Sequence, residues 1–108
     1  MCQCDGNDFS ARAQTSGDTR TLTVEGECFC SRAGFRLELE PDNPGIVPQP
    51  KDVVLRLNPI APEQGADVMT LTPLTYITRI GEEAERVIIR LPEGQEAIVL
   101  SIADEGGY

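Results

Sequence analysis

All four cysteines of this 108-residue chain lie in two C-x-C pairs, Cys2 with Cys4 in MCQC and Cys28 with Cys30 in ECFC. Residues two apart on a β-strand point to the same face, so each pair presents its sulfurs together. The intervening residues 5–27 hold the strand pattern FSARAQT, the turn TSGD and a second strand pattern that leads into GECFC. A hairpin of this kind brings the four thiols side by side and fixes the N-terminus to the second strand.

A structural zinc ion is the leading prediction for these sulfurs, with Cys2, Cys4, Cys28 and Cys30 as its four ligands. Zn–S bonds of about 2.3 Å in a tetrahedron suit thiolates that converge from neighbouring strands. The first residues of a domain fray unless something holds them, and zinc would do so. A structural site leaves no open coordination position, so the prediction argues against catalysis at the metal.

Other chemistries use the same four sulfurs. An exported protein would form two disulfides, either Cys2–Cys30 with Cys4–Cys28 or Cys2–Cys28 with Cys4–Cys30, because a bridge within C-x-C closes a small strained ring. A [2Fe–2S] cluster or a Cu(I) thiolate site also suits four soft ligands. A thiol-based metal carrier or redox sensor is the remaining alternative, although the neighbouring carboxylates disfavour reactive thiolates.

Apolar residues alternate with polar ones along most of the chain, which is typical of strands with one buried face. The pattern is present in FSARAQT, RTLTVEG, GFRLELE, DVVLRLN, VMTLTPLTYITRI, ERVIIRL and EAIVLSIA. About seven short strands predict an all-β fold, a two-sheet antiparallel sandwich of immunoglobulin-like architecture. A partly open β-barrel is the alternative. Pro73 predicts an edge position, a bulge or a break, and GEEAERVI could instead form a short helix.

The length predicts one domain, and we place a single β-sandwich over residues 1–104 with a frayed tail at 105–108. Two proline-rich stretches, PDNPGIVPQP and NPIAPEQGAD, predict loops because proline cannot join the interior of a sheet. Asp5, Asn7 and Asp8 resemble the start of a calcium loop without its remaining ligands, so an Asx turn is the favoured interpretation. Phe29 is opposite in parity to its neighbouring cysteines, and we expect it to face away from the site and to pack in the core.

Eighteen acidic and nine basic residues give a formal net charge of −9. An acidic protein repels phosphate backbones, so nucleic acid is not an expected ligand. Neither an apolar run long enough to span a membrane nor a signal peptide is visible, so no membrane association is expected and the predicted location is the cytoplasm. The methionine before Cys2 is equally consistent with replacement of a removed leader, in which case the protein would be secreted or surface-bound.

The chain contains no histidine, which removes the Ser-His-Asp and Cys-His arrangements and every histidine metal ligand. Phosphate-binding loops and the nucleophile elbow have no matching motif either. We therefore expect a non-enzymatic interaction or assembly module with a structural cysteine site. Its partner is expected to be another protein or a second copy of the chain, and Tyr76 is a candidate anchor for such a contact.

Overall fold

Every regular element of the described chain is a β-strand. The computed structural model describes residues 2–42, 51–92 and 94–105. In chain order the strands are β1 (Cys2–Ser16), β2 (Thr19–Cys30), β3 (Arg36–Pro41), β4 (Asp52–Ile60), β5 (Thr70–Ile80), β6 (Arg86–Arg90), β7 (Ile98–Ser101) and β8 (Ala103–Glu105). The alternation of apolar and polar residues thus predicted the type of these elements correctly, and residues 81–85 form turns and irregular chain rather than the helix considered for GEEAERVI.

The strands form two four-stranded sheets that pack together, with the orders β5-β2-β1-β8 and β3-β4-β6-β7. Both sheets are mixed, because β1 pairs in parallel with β8 and β4 pairs in parallel with β6. The two-sheet sandwich is confirmed, whereas its purely antiparallel pairing is wrong. The alternation of apolar and polar residues indicates which face of a strand is buried, but it does not indicate whether the neighbouring strand runs parallel or antiparallel. Neither sheet of the described strands closes into a barrel.

The core lies between the two sheets and takes residues from both. Leu22 and Val24 of β2 and Val87 and Ile89 of β6 are completely inaccessible to solvent. The inner positions expected from the alternation are buried or packed against this core. The buried cluster comprises Cys2, Phe9, Ala11, Leu22, Val24, Cys28, Cys30, Leu39, Leu55, Leu57, Leu74, Val87, Ile89 and Ile98.

β1 and β2 form a long hairpin whose turn contains Gly17, between the paired residues Ser16 and Thr19. Gly17 has a φ of 61°, a left-handed conformation that glycine adopts without the steric penalty of a Cβ atom. The hairpin returns β2 alongside the start of β1. It is the element that brings the two C-x-C pairs together, as the sequence predicted.

The hairpin is interrupted once, by a register shift between Cys4 and Phe9. Residues 5–8 of β1 face a single residue of β2, Glu27, and therefore bulge out of the sheet. The backbone amide of Asn7 donates to Oδ1 of Asp5 at 3.0 Å, which is the expected Asx turn. The bulge restores an inward position for Phe9, which lies opposite Gly26.

β5 is an edge strand, which is one of the three outcomes that Pro73 predicted. The cysteine pairs of β1 and β2 have Cα separations of 3.9 and 4.5 Å, typical of non-hydrogen-bonded pairs. Cys28 and Cys30 therefore direct their backbone groups towards β5. In the regular β2–β5 register Thr72 lies opposite Cys28 and Pro73 lies opposite Glu27. Successive residues direct their backbone groups to opposite sides of a strand, so Thr72 faces β2 and the nitrogen of Pro73 faces the open edge. A residue without an N–H group is tolerated there because no ladder hydrogen bond is lost.

The two predicted proline-rich loops have different outcomes. In NPIAPEQGAD, residues 58–60 complete β4, and the following residues 61–67 form no strand. Pro59 is accommodated because β4 pairs with β6 only as far as Arg56, which leaves that side of the later residues open. In PDNPGIVPQP, Pro41 ends β3, and residues 43–50 lie outside the described residues.

Candidate functional site: the disulfide end of the sandwich

Two disulfides join the first two strands, Cys2 to Cys30 and Cys4 to Cys28, with S–S distances of 2.02 and 2.08 Å. The bonded residues are direct cross-strand partners in the β1–β2 register. The strand period of two places both bridges on the same, inward face of the sheet. They form successive rungs between the strands and hold the start of β1 against the end of β2.

The bridges are part of the hydrophobic core. Cys2, Cys28 and Cys30 are at most 4% exposed, and Cys4 is partly buried against the same cluster. At the N-terminus, the side-chain amide of Gln95 donates to the carbonyl oxygen of Cys2 at 3.2 Å. The first residues of the domain are therefore held by two covalent bonds, by burial and by a contact from the segment before β7.

The prediction of a Cys4 zinc site is wrong, and with it the metal-binding function and the structural zinc cofactor. A zinc tetrahedron needs four unbonded thiolates about 3.8 Å apart, whereas each sulfur here is bonded to the one directly opposite. Successive rungs lie two residues apart, roughly 6.6 Å along the strands, so the sulfurs form a ladder rather than a cluster. Among the described residues no group of His, Cys, Asp or Glu is placed to hold a metal ion.

The two disulfides also exclude the thiol-based alternative and indicate the kind of compartment in which the protein folds. No free cysteine is present in the described chain, which contains all four, so the metal-carrier and redox-sensor interpretation has no thiolate to use. Disulfides form and persist in oxidising compartments. The disulfides therefore fit the secreted alternative better than the expected cytoplasmic location.

A groove of about 620 Å³ opens beside the disulfides, between the bulge of β1 and strand β7. Three of the side chains that line it are large, apolar and unusually exposed: Phe29 (47%), Met69 (59%) and Val99 (58%). Leu71 lies directly opposite Phe29 on β5 and is 44% exposed, so it extends the apolar surface across the outer face of the sheet. We call these lining residues the disulfide-end groove; they are Gln3, Cys4, Asp5, Gly6, Asp8, Phe29, Met69, Glu96, Ala97, Ile98 and Val99.

Among the described residues, all the charged side chains that line the disulfide-end groove are acidic. They are Asp5, Asp8 and Glu96, and each is exposed. Six arginines form ion pairs elsewhere, and none of these pairs involves a groove carboxylate. The apolar surface is thus bordered by three carboxylates that have no cationic partner among the described residues.

Two aromatic side chains differ from their sequence-based expectations. Phe29 faces away from the cysteines as predicted, but it lies in the groove rather than in the core. Its parity was sufficient to find this, because a buried cysteine face leaves the opposite face to solvent. Tyr76, the candidate anchor, is only partly accessible and packs against the core. Met69 and Val99 carry no local signal of exposure, since their positions depend on how β7 lies against β1.

The described chain contains no helix long and apolar enough to cross a membrane. Comparisons with protein families, with curated proteins and with solved structures give no match. The fold and the site therefore define the class on their own: a two-sheet mixed β domain stapled by paired cross-strand disulfides, with an acidic, apolar groove at the stapled end.

Proposed function

We propose that the protein is an exported domain whose two disulfides stabilise a platform for contacts with other proteins. The observation that carries the proposal is the pair of buried cross-strand disulfides, Cys2–Cys30 and Cys4–Cys28. Such bonds need an oxidising compartment to form, and a domain outside the cell gains from covalent fixation of an N-terminus that would otherwise fray.

The proposed role is non-enzymatic. The absence of histidine and of phosphate-binding or nucleophile-elbow motifs in the sequence supports it, since these supply most catalytic machinery. The two packed sheets provide outer faces that suit protein contacts. Within this class we propose an immunoglobulin-like domain, on the support of two packed four-stranded sheets, although each sheet contains one parallel pair.

A partner is proposed on the evidence of exposed apolar surface. Phe29, Met69, Leu71 and Val99 expose 44–59% of their areas at one end of the molecule. Scattered exposed apolar residues are ordinary, whereas neighbouring ones that line a groove are typical of interaction sites. Removing them from water by contact would contribute roughly 25 cal/mol for each Å² buried.

Intact-mass measurement of the protein purified from its natural host tests the proposed export. The envelope or culture fraction should contain the protein about 4 mass units lighter than its chemically reduced form, because two disulfides lack four hydrogens. The reduced sample serves as the control for the mass scale. A cytoplasmic protein with four reduced cysteines, or with about one zinc ion per chain by elemental analysis, would overturn the proposal.

Site-specific photo-crosslinking in the same host tests the proposed contact. A photo-reactive phenylalanine in place of Met69 should give discrete protein adducts, because this side chain lies in the groove and is 59% exposed. The matched control places the same group at Ile77, which is 63% exposed and lies outside the groove. Adducts of equal yield at both positions, or at neither, would contradict a contact surface at the disulfide end.

A further inference from the structure

We propose that the disulfide-end groove binds a segment of a partner protein in which basic residues flank an apolar side chain. This inference rests on the proposed function, because it names the chemistry of the partner at the same surface. The juxtaposition that carries it is a groove lined both by an apolar floor of Phe29, Met69 and Val99 and by carboxylates from two elements of the chain.

The floor provides the contact for the apolar side chain. The three residues come from different parts of the chain, β2, the segment before β5 and β7, so the groove is shaped by tertiary structure. Its volume of about 620 Å³ is within the range of roughly 300–1,000 Å³ seen for binding clefts. A leucine or phenylalanine side chain of a partner fits such a space.

The border provides the charge complementarity. Asp5 and Asp8 lie on the bulge of β1, and Glu96 lies just before β7, so the carboxylates come from two separate elements. Oδ1 of Asp5 accepts a hydrogen bond from the amide of Asn7, which holds the bulge, while Asp8 and Glu96 have no ion pair with a described residue. Lysine or arginine residues on either side of the apolar anchor meet these carboxylates.

A second copy of the chain is the weaker candidate for the same groove. Each copy carries a formal charge of −9, so two copies repel one another. In the described part of the chain, six of the arginines are already engaged in ion pairs. A basic partner avoids both difficulties, and long-range attraction to the acidic protein would speed its association.

Fluorescence anisotropy on the purified oxidised protein provides the test. The probe is a labelled synthetic peptide, Lys-Leu-Lys-Phe-Lys, and the comparison peptides are Glu-Leu-Glu-Phe-Glu and Lys-Ser-Lys-Ser-Lys. Only the first combines positive charge with apolar side chains, so it should bind at least about tenfold more tightly than either of the others. Equal binding of the serine peptide would overturn the role of the apolar floor.

Paired variants locate the binding. Asp8→Asn with Glu96→Gln should weaken binding of the probe by about tenfold, whereas Glu82→Gln with Glu83→Gln should change it by less than about twofold. The second pair is exposed, lies outside the groove and removes the same charge. Equal losses in both pairs would mean diffuse attraction to an acidic surface and would overturn the proposal.

The apolar arm uses single substitutions at exposed positions, which leave folding intact. Phe29→Ser should weaken binding of the probe by about tenfold. Ile77→Ser, which lies outside the groove, should leave the affinity for the probe unchanged. Sedimentation velocity of the protein without peptide tests the alternative occupant. A dimer that Phe29→Ser abolishes would assign the groove to a second copy of the chain and would overturn the proposal. These results concern the purified domain, so a negative outcome removes the basic partner and leaves the test of export by intact mass unaffected.

Discussion

Gly26 is the residue at which the packing of the hairpin leaves least room. The ring of Phe9 lies over it, and a Cβ atom at Gly26 would be 2.3 Å from Cδ2 of the ring. Because real Cβ atoms do not approach this closely, Gly26→Ala must displace a buried aromatic side chain. We expect a loss of about 2 kcal/mol in the free energy of unfolding, measured by urea denaturation, as is usual for overpacking.

Gly81→Ala is the matched control, because a Cβ atom there has no neighbour within 4 Å. Its free energy of unfolding should change by less than about 0.5 kcal/mol. A smaller side chain at Phe9 should relieve the clash, so Phe9→Leu combined with Gly26→Ala should cost less than the sum of the two single substitutions. Strict additivity, or equal losses at Gly26 and Gly81, would contradict the packing described.

At the same scale, sequence reasoning succeeded where a residue's face alone decides its role. Alternation predicts one buried face for RTLTVEG and for DVVLRLN, and the apolar residues Leu22, Val24 and Leu55 of these stretches are buried. Phe29 was assigned correctly to the face opposite the cysteines and wrongly to the core. The error has a physical origin, because hydrophobicity predicts burial only on average. The solvent-facing side of a sheet can carry an apolar side chain that serves an intermolecular contact.

The hairpin of β1 and β2 is stapled twice, and the two staples are nested. Cys2–Cys30 spans 28 residues and Cys4–Cys28 lies inside that loop, spanning 24. Either bridge alone closes nearly the same loop and contributes about 3.5 kcal/mol to the free energy of unfolding in the chain-entropy model. Once one bridge is present, the other closes a ring of only about six residues and contributes about 2 kcal/mol. Their contributions to stability are therefore coupled.

Replacing one pair with alanine, Cys2→Ala with Cys30→Ala or Cys4→Ala with Cys28→Ala, should lower the free energy of unfolding by about 2 kcal/mol. Replacing all four should lower it by about 5.5 kcal/mol, close to the whole stability of many small domains. Urea denaturation of the three variants measures this coupling. Losses that add linearly from the single pairs to the quadruple variant would refute the nested arrangement.

The edge of β5 is protected from pairing with other strands in part by Pro73, whose nitrogen faces outward and has no hydrogen to donate. Pro73→Val restores a donor and adds a β-branched side chain at this edge. Sedimentation velocity at about 0.5 mM should then show self-association that is stronger than in the parent protein. Thr75→Val, on the same edge and face, adds apolar area without adding a donor, and it should associate less. Equal association of the two variants would mean that apolar area, and not the backbone donor, controls pairing.

Elements, like residues, could be predicted only in part. The strands follow from alternation, and the missing N–H group of Pro73 restricts that residue to an edge, a bulge or a break; both are local properties. The parallel pairs β1–β8 and β4–β6 do not, because a strand with one buried face reads the same whatever the direction of its neighbour. The cysteine site shows the same limit: C-x-C pairs on neighbouring strands suit both zinc and disulfides, and the S–S bonds between the opposed cysteines distinguish them.

On the scale of the whole molecule, the net charge of −9 opposes compaction, because the carboxylates repel one another more when the chain is folded. Three of the six described ion pairs are exposed on both sides; in Arg12–Glu25, for example, the side chains are 51% and 46% accessible. Exposed pairs of this kind contribute about 0–1 kcal/mol each, so screening them costs little. Screening the repulsion between carboxylates increases stability by more than screening the ion pairs lowers it. The protein should therefore become more stable as salt is added.

The urea midpoint of unfolding should therefore rise between about 0.02 and 0.3 M NaCl, over which the Debye length falls from roughly 20 to 6 Å. Glu82→Gln with Glu83→Gln reduces the net negative charge and should shrink this gain. Lys51→Gln with Arg79→Gln removes two exposed cations that take part in no described ion pair, and it should enlarge the gain. A midpoint that falls with salt would show instead that the arginine ion pairs outweigh the repulsion.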